Sequence, residues 1–168
     1  MKMIIHWVGI GEVKSAGNGD HLGTILGSCV TTVLWHSARK FAVMNHILLP
    51  YRPQHKKPMQ PDGRFAGDSW RMMQTRLARQ GISMRECEAY VAGGANVTDA
   101  VEQDIGQKNV DAMLDFLDAT RVPVRAMYVG GTGHRTARFD PDNGLFRVMH
   151  NGIVVSPTNG ITPSIRAA

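Results

Sequence analysis

A thiol and an imidazole in the first third of the chain carry nucleophile and base chemistry. Cys29 sits in Leu26-Gly-Ser-Cys-Val30, and His46 sits in Met44-Asn-His-Ile47. A thiolate attacks carbonyl carbon, and a neighbouring imidazolium stabilises it by charge. The same imidazole can then protonate a leaving amine. The residues before the cysteine, Gly27 and Ser28, are small enough for the backbone to approach a substrate carbonyl. Backbone N–H groups near Ser28 and Cys29 could hold the developing oxyanion.

The two groups lie on runs that read as the arms of a β-hairpin. Cys29 to Trp35 is rich in β-branched residues and Phe41 to Leu49 is apolar, with His36-Ser-Ala-Arg-Lys40 between them. In a hairpin, facing residues have a constant sum of numbers. A two-residue turn at Ser37-Ala38 puts Cys29 directly opposite His46, with Cβ atoms about 5 Å apart. A four-residue turn, Ser37 to Lys40, makes them a same-face diagonal pair. A three-residue turn places them on opposite faces unless a bulge intervenes. Spacing alone leaves the plainer readings open. A free cysteine usually behaves as a small buried hydrophobe, and a histidine beside Ile47 and Leu48 can be structural.

Other chemistries find little support. Cys87 lies between Glu86 and Glu88, whose charge would raise a thiol pKa, so it reads as unreactive. The seven histidines are scattered, with no H-x-x-x-H or C-x-x-C spacing, so no metal site is expected. Gly9-Ile-Gly11 lacks a third glycine and no Walker lysine follows Gly130-Gly131, so no nucleotide or other cofactor is expected.

The elements that must position the pair follow from the pattern along the chain. Met3 to Val8 reads as a strand, residues 14–21 as a polar turn region, and Leu22 to Leu26 as a further apolar run. Residues 50–67, with four prolines, form a long functional or mobile loop. Trp70, Met73 and Leu77 fall at helical spacing, with Asp68 as a possible N-cap and Gly81 as the stop. Glu86 to Ala92 reads as a strand, and Gln107 to Ala119 as a helix with Val110, Met113, Leu114 and Leu117 as its apolar stripe. Val122 to Val129 is a strand, Asp140-Pro-Asp-Asn-Gly144 a hairpin turn, Ile153 to Val155 one more strand, and the tail from about residue 157 is loosely attached. This order is α+β rather than a regular βαβ alternation.

With 168 residues, 43% hydrophobic and 20% charged, the chain fits a single domain over residues 1–168. No run is long enough to span a bilayer, and no signal-peptide core is complete, so a cytoplasmic protein is expected, with no membrane insertion. Two cysteines agree with a reducing compartment. The net charge of +5 favours an acidic partner. Nucleic acid ranks last among such partners, since neither an RNA-binding aromatic motif nor a recognition helix is present.

Several segments together resemble the CheD family of bacterial chemoreceptor glutamine deamidases. They are Gly9-Ile-Gly-Glu12, Leu26-Gly-Ser-Cys-Val30, Met44-Asn-His-Ile-Leu-Leu-Pro50, Ala92-Gly-Gly-Ala-Asn96, Ile105-Gly-Gln-Lys-Asn109 and Gly130-Gly-Thr-Gly-His-Arg135. They occur in the family's order across nearly the whole chain. The resemblance implies a Cys-His-Thr set that hydrolyses receptor glutamines to glutamates through a cysteine thioester. Cys29 and His46 match the first two members, and Thr24 best matches the third, as a group that orients the imidazole. The resemblance also implies a β-sandwich-like core of mostly antiparallel strands with two main helices packed outside, similar to the catalytic domain of the cytotoxic necrotizing factor toxins.

The implied partners are the cytoplasmic helical regions of methyl-accepting chemotaxis receptors, with Arg52, Lys56, Lys57 and Arg64 as docking residues for an acidic surface. CheD-like proteins also bind a CheC-type phosphatase in some bacteria, so a non-catalytic regulatory module is the alternative reading. The stretch Arg64-Phe-Ala-Gly-Asp68 is about one residue longer than the usual family pattern, which affects the shape of the substrate-facing loop.

Overall fold

A computed structural model describes residues 2–53, 60–97 and 104–158. In chain order the elements are β1 (Ile5–Trp7), β2 (Val13–Ala16), β3 (His21–Leu26), β4 (Val30–His36), β5 (Phe41–Asn45), α1 (Ala66–Arg79), β6 (Glu88–Gly93), α2 (Ile105–Ala119), β7 (Val124–Val129), β8 (Arg135–Asp140), β9 (Leu145–His150) and β10 (Ile153–Val154). They build two five-stranded sheets, ordered β1-β3-β8-β9-β10 and β2-β5-β4-β6-β7.

Alternation along a strand sends successive side chains to opposite faces, and β4 shows what each face meets. Val30 and Leu34 join Val43, Trp70, Met73, Leu77, Val110 and Met113 in one apolar cluster, against the helices. Val33 joins Met44, Leu22, Leu26, Phe139 and Phe146 in a second cluster, against the other sheet. The second sheet is therefore buried on both faces. This explains why β4 and β5 read as nearly continuous apolar runs rather than alternating ones. The layers are sheet, sheet, helices: an α+β sandwich with α1 and α2 outside, as expected.

The ends of the helices follow local chemistry. The Asp104 carboxylate caps α2 by accepting from the Gln107 N–H at 2.9 Å. Gly81 takes φ +68° just past α1, where a left-handed residue ends a helix. Asp68, however, is not the N-cap. Phe65 holds that position, and Asp68 lies in the first turn of α1. There its charge suits the helix N-terminus. It accepts from the Asp62 N–H at 2.9 Å and pairs with Arg52 and Arg71.

The polar turn expected at residues 14–21 is shorter than that. Val13–Ala16 forms the edge strand β2, paired antiparallel with β5, and the turn occupies only the residues before His21. An edge strand has one side open to water, so Lys14 and Ser15 are tolerated in it. Two pairings, β1 with β3 and β6 with β7, are parallel, and the rest are antiparallel. Arg135, on β8, reaches across to the other sheet. Its guanidinium donates to the carbonyls of Gly93, Tyr128 and Gly130, fastening the ends of β6 and β7. At the end of the described chain, the Thr158 hydroxyl accepts from the Val129 N–H at 2.8 Å. The expected loose tail otherwise lies outside the described residues.

Candidate active site

The hairpin fixes where thiol and imidazole fall. Val33 pairs with Met44, Leu34 with Val43 and His36 with Phe41. This is the register of the four-residue turn, Ser37 to Lys40, closed by the Lys40 N–H on the Ser37 carbonyl at 3.1 Å. One more bridge, Val30 with Ile47, carries the ladder past the named strands. Cys29 and His46 are thereby a same-face diagonal pair. That face looks into the space between the sheets, where Cys29 packs with Leu22, Leu26 and Val33.

The imidazole of His46 is only 4% exposed and is held from behind by the opposite sheet. Thr24, on β3, places its hydroxyl 2.8 Å from Nδ1, and the Val8 carbonyl lies 3.3 Å from the same nitrogen. The Thr24 hydroxyl also donates to the Val8 carbonyl at 2.7 Å. A hydroxyl has one proton, so with that proton on Val8 its oxygen accepts from Nδ1–H. Nε2 is then the bare nitrogen. It is buried and has no hydrogen-bond partner among the described residues. In the other tautomer a buried N–H donor would be left unpaired, at a cost of about 1–3 kcal/mol.

Burial shifts both groups toward their neutral forms. It pushes the Cys29 thiol up from 9.0, opposed by the thiol's own backbone amide. It pushes His46 down from 6.5, opposed by the Val8 carbonyl and by the charge of Glu12. Both shifts favour thiol and neutral imidazole over the thiolate and imidazolium pairing.

The two groups open onto a cleft of about 570 Å³, whose polar wall includes Ser28, Cys29, His46 and His134. Its mouth carries an apolar collar of Trp7, Ile10, Ile25 and Val97, all of them exposed to solvent. Around Cys29, three successive carbonyls are pinned. Gly27 O accepts from the Ala95 N–H at 3.0 Å, Ser28 O from the Asn109 Nδ2 at 3.1 Å, and Cys29 O from the Gly94 N–H at 2.9 Å. Gly27 is constrained by its surroundings, since a Cβ there would stand 3.2 Å from His134 Nδ1. Val8, Asn109 and His134 escaped the sequence reading. Asn109 and His134 do lie in two of the segments that carried the resemblance, so closer attention to their polar members could have found them.

The family model described as "CheD chemotactic sensory transduction" matches residues 48–150. A protein of Albidiferax ferrireducens named "Probable chemoreceptor glutamine deamidase CheD 2" is 35% identical over 138 residues, covering 80% of each chain. A Pseudomonas syringae pv. tomato protein named "Probable chemoreceptor glutamine deamidase CheD" is 30% identical over 151 residues, 87% of this chain and 89% of that one. A Clostridium tetani protein of the same name is 30% identical over 151 residues, 87% of this chain and 91% of that one. The chain belongs to the CheD family.

In this CheD chain two of the four residues expected to dock an acidic surface, Arg52 and Arg64, have internal partners. Arg52 pairs with the buried Asp68 and stacks over Phe65 at 5.0 Å. Arg64 is more exposed and grips Asp62, whose carboxyl it draws down to about 2. Lys56 and Lys57 lie outside the described residues. The loop carrying Arg64 still braces the cleft: a Cβ on Gly63 would lie 2.1 Å from the carbonyl of Gly11, next to the collar residue Ile10. Among the described residues no helix is long and apolar enough to cross a membrane.

Proposed function

We propose that this CheD-family protein hydrolyses glutamine side chains of chemoreceptors to glutamate in the cytoplasm, with Cys29 as nucleophile and His46 as base. The observation that carries this reading is the bare, buried Nε2 of His46, held through its other nitrogen by Thr24 and sharing a cleft with the Cys29 thiol. The names of the relatives, chemoreceptor glutamine deamidases, supply the reaction and substrate class.

The steps balance as follows. The thiol proton moves to Nε2 as sulfur attacks the side-chain amide carbon. The carbonyl pair moves to oxygen, which the backbone N–H groups of Cys29 and Ser28 stabilise, with Gly27 leaving room for the loop. The imidazolium returns the proton to nitrogen, and ammonia leaves as a thioester forms. Water, its proton taken by His46, then cleaves the thioester to a carboxylic acid and the free thiol. Neutral resting partners suit this sequence, since base and acid are the same nitrogen in turn.

The apolar collar would receive the exposed side of a receptor helix around the glutamine. Lys56, Lys57, Arg52 and Arg64 would add weak charge steering at most, since Arg52 and Arg64 are already paired. Mass spectrometry of receptor fragments incubated with wild type and with Cys29→Ala tests the reading. Conversion of amide to acid by wild type alone supports it, and equal conversion by both overturns it. The exposed collar also suits a CheC-type phosphatase as a second occupant. Phosphatase binding that survives Cys29→Ala, with deamidation lost, would separate that role from catalysis.

A further inference from the structure

The geometry points to Asn109 as a positioning residue that aims and polarises the Cys29 backbone N–H as an oxyanion donor. This rests on the hydrolase reading above and deepens it.

Asn109 lies on α2, outside the cleft lining, and is fully buried. Its Nδ2 donates to two carbonyls, Ser28 O and Leu48 O, both at 3.1 Å. Reversing the amide would set Oδ1 against two carbonyl oxygens, so the orientation is fixed by chemistry. Those two carbonyls lie where the hairpin ladder ends. The last backbone bonds between the strands join Val30 and Ile47, at 2.9 and 3.2 Å. Beyond them one side-chain amide bridges the residue before the nucleophile and the residue two past the base. It completes the ladder that backbone alone leaves open. The helix comes close enough because Gly106 meets Gly94 without side chains: a Cβ on Gly106 would stand 2.5 Å from the Gly94 carbonyl.

The consequence lies in the peptide plane. In a trans peptide the carbonyl and the N–H point in opposite directions. The carbonyl of Ser28 and the N–H of Cys29 belong to one plane. Anchoring Ser28 O on Asn109 therefore turns the Cys29 N–H the other way, away from α2. The same amide acts on its own thiol by opposing the upward pull of burial. A hydrogen bond at the carbonyl also polarises the N–H of the same peptide. When sulfur adds to the amide carbon, the new oxyanion forms beside that sulfur, within reach of an N–H already aimed and polarised. No reorganisation is needed at that moment.

The test separates oxyanion binding from mere packing. Addition of a thiol to an aldehyde creates a tetrahedral carbon with an oxygen in the oxyanion position. Alkylation by iodoacetamide displaces iodide and creates no such oxygen. The probe is a receptor peptide carrying an aldehyde in place of the glutamine side-chain amide. Asn109→Ala should lower kcat for deamidation by about tenfold or more, short of the 10²–10³ lost with a direct donor. KM should stay nearly constant and aldehyde affinity should fall with kcat. The rate and pH profile of Cys29 alkylation should hold. A parallel fall in alkylation, or unchanged aldehyde affinity, overturns the proposal.

Should Asn109→Ala fail to fold, Asn109→Asp fills the same space with fewer donors and is judged by the same ratio. In the unmutated protein, the Cys29 amide proton should move downfield when the aldehyde binds, and an unmoved signal overturns the proposal whatever the variants do. Cys29→Ala runs alongside. If it still deamidates, the hydrolase reading fails. If it is inert while Asn109→Ala deamidates normally, only the role given to Asn109 falls.

Discussion

Two buried thiols sit in this chain, and they have opposite surroundings. Cys29 is 8% exposed and Cys87 is 1% exposed. Burial raises the pKa of both. Cys87 is packed among the core residues beneath the helices, with its Sγ 3.8 Å from the Ser83 carbonyl, and is pushed up to about 12 by burial and then by Glu86. Cys29 faces a cleft that it shares with His46, whose Nε2 has no hydrogen-bond partner among the described residues, and its own backbone amide opposes the upward pull of burial on the thiol. Under the proposed function, the difference teaches that burial alone does not decide whether a thiol can react. What decides it is whether a base and an anion-binding N–H are also within reach, and whether a substrate can enter.

The comparison can be broken most directly at the two sulfurs. Cys29→Ala should abolish deamidation to background in a mass-spectrometric assay, while Cys87→Ala should keep it. Equal activity in the two variants would end the distinction. Next in size, His46→Ala should lower kcat by about 10²–10⁴-fold, the usual range for a positioned acid-base group. A stopped-flow ammonia assay reads that loss, and a change confined to KM would contradict it.

A smaller effect is expected from Thr24→Val. It removes one neutral hydrogen bond worth ~1 kcal/mol, so kcat should fall about five- to tenfold. The acid limb of the kcat/KM profile would shift with it, since the imidazole tautomer is no longer held. The pH dependence itself sharpens the picture. Burial favours neutral His46, so the acid limb should lie below 6.5, and alkylation of Cys29 should climb with a midpoint above 9.0. A plateau of alkylation at neutral pH would instead reveal a preformed ion pair.

The smallest effect belongs to Cys87. Its folded pKa lies above the unfolded value, so its contribution to stability is full below about pH 9 and is lost as pH rises toward 12. Cys87→Ala should cost about 1 kcal/mol in urea unfolding at pH 7 and flatten the alkaline decline.

The sequence revealed the parts of the site that lie close together in the chain. Constant-sum pairing limited Cys29 and His46 to two useful registers, and the structure takes the diagonal one because the turn uses Ser37 to Lys40. Thr24 came from resemblance alone, because nothing local says that β3 will lie against β5 from the other sheet. Val8 and Asn109 were missed for the same reason: each acts through a contact across layers, 38 residues from His46 in one case and 81 from Ser28 in the other. Lys14 and Ser15 hid the edge strand β2, since polar residues at an open edge look like turn residues. Asp68 looked like a cap because its chemistry suits a helix start, and the first turn serves that chemistry equally well.

One hydrogen bond joins the threonine of one sheet to the histidine of the other. Activity should therefore report on how firmly the two layers stay docked. In a denaturant titration, turnover should decline ahead of the far-ultraviolet signal, because a slight splaying of the layers releases the imidazole while every strand is still formed.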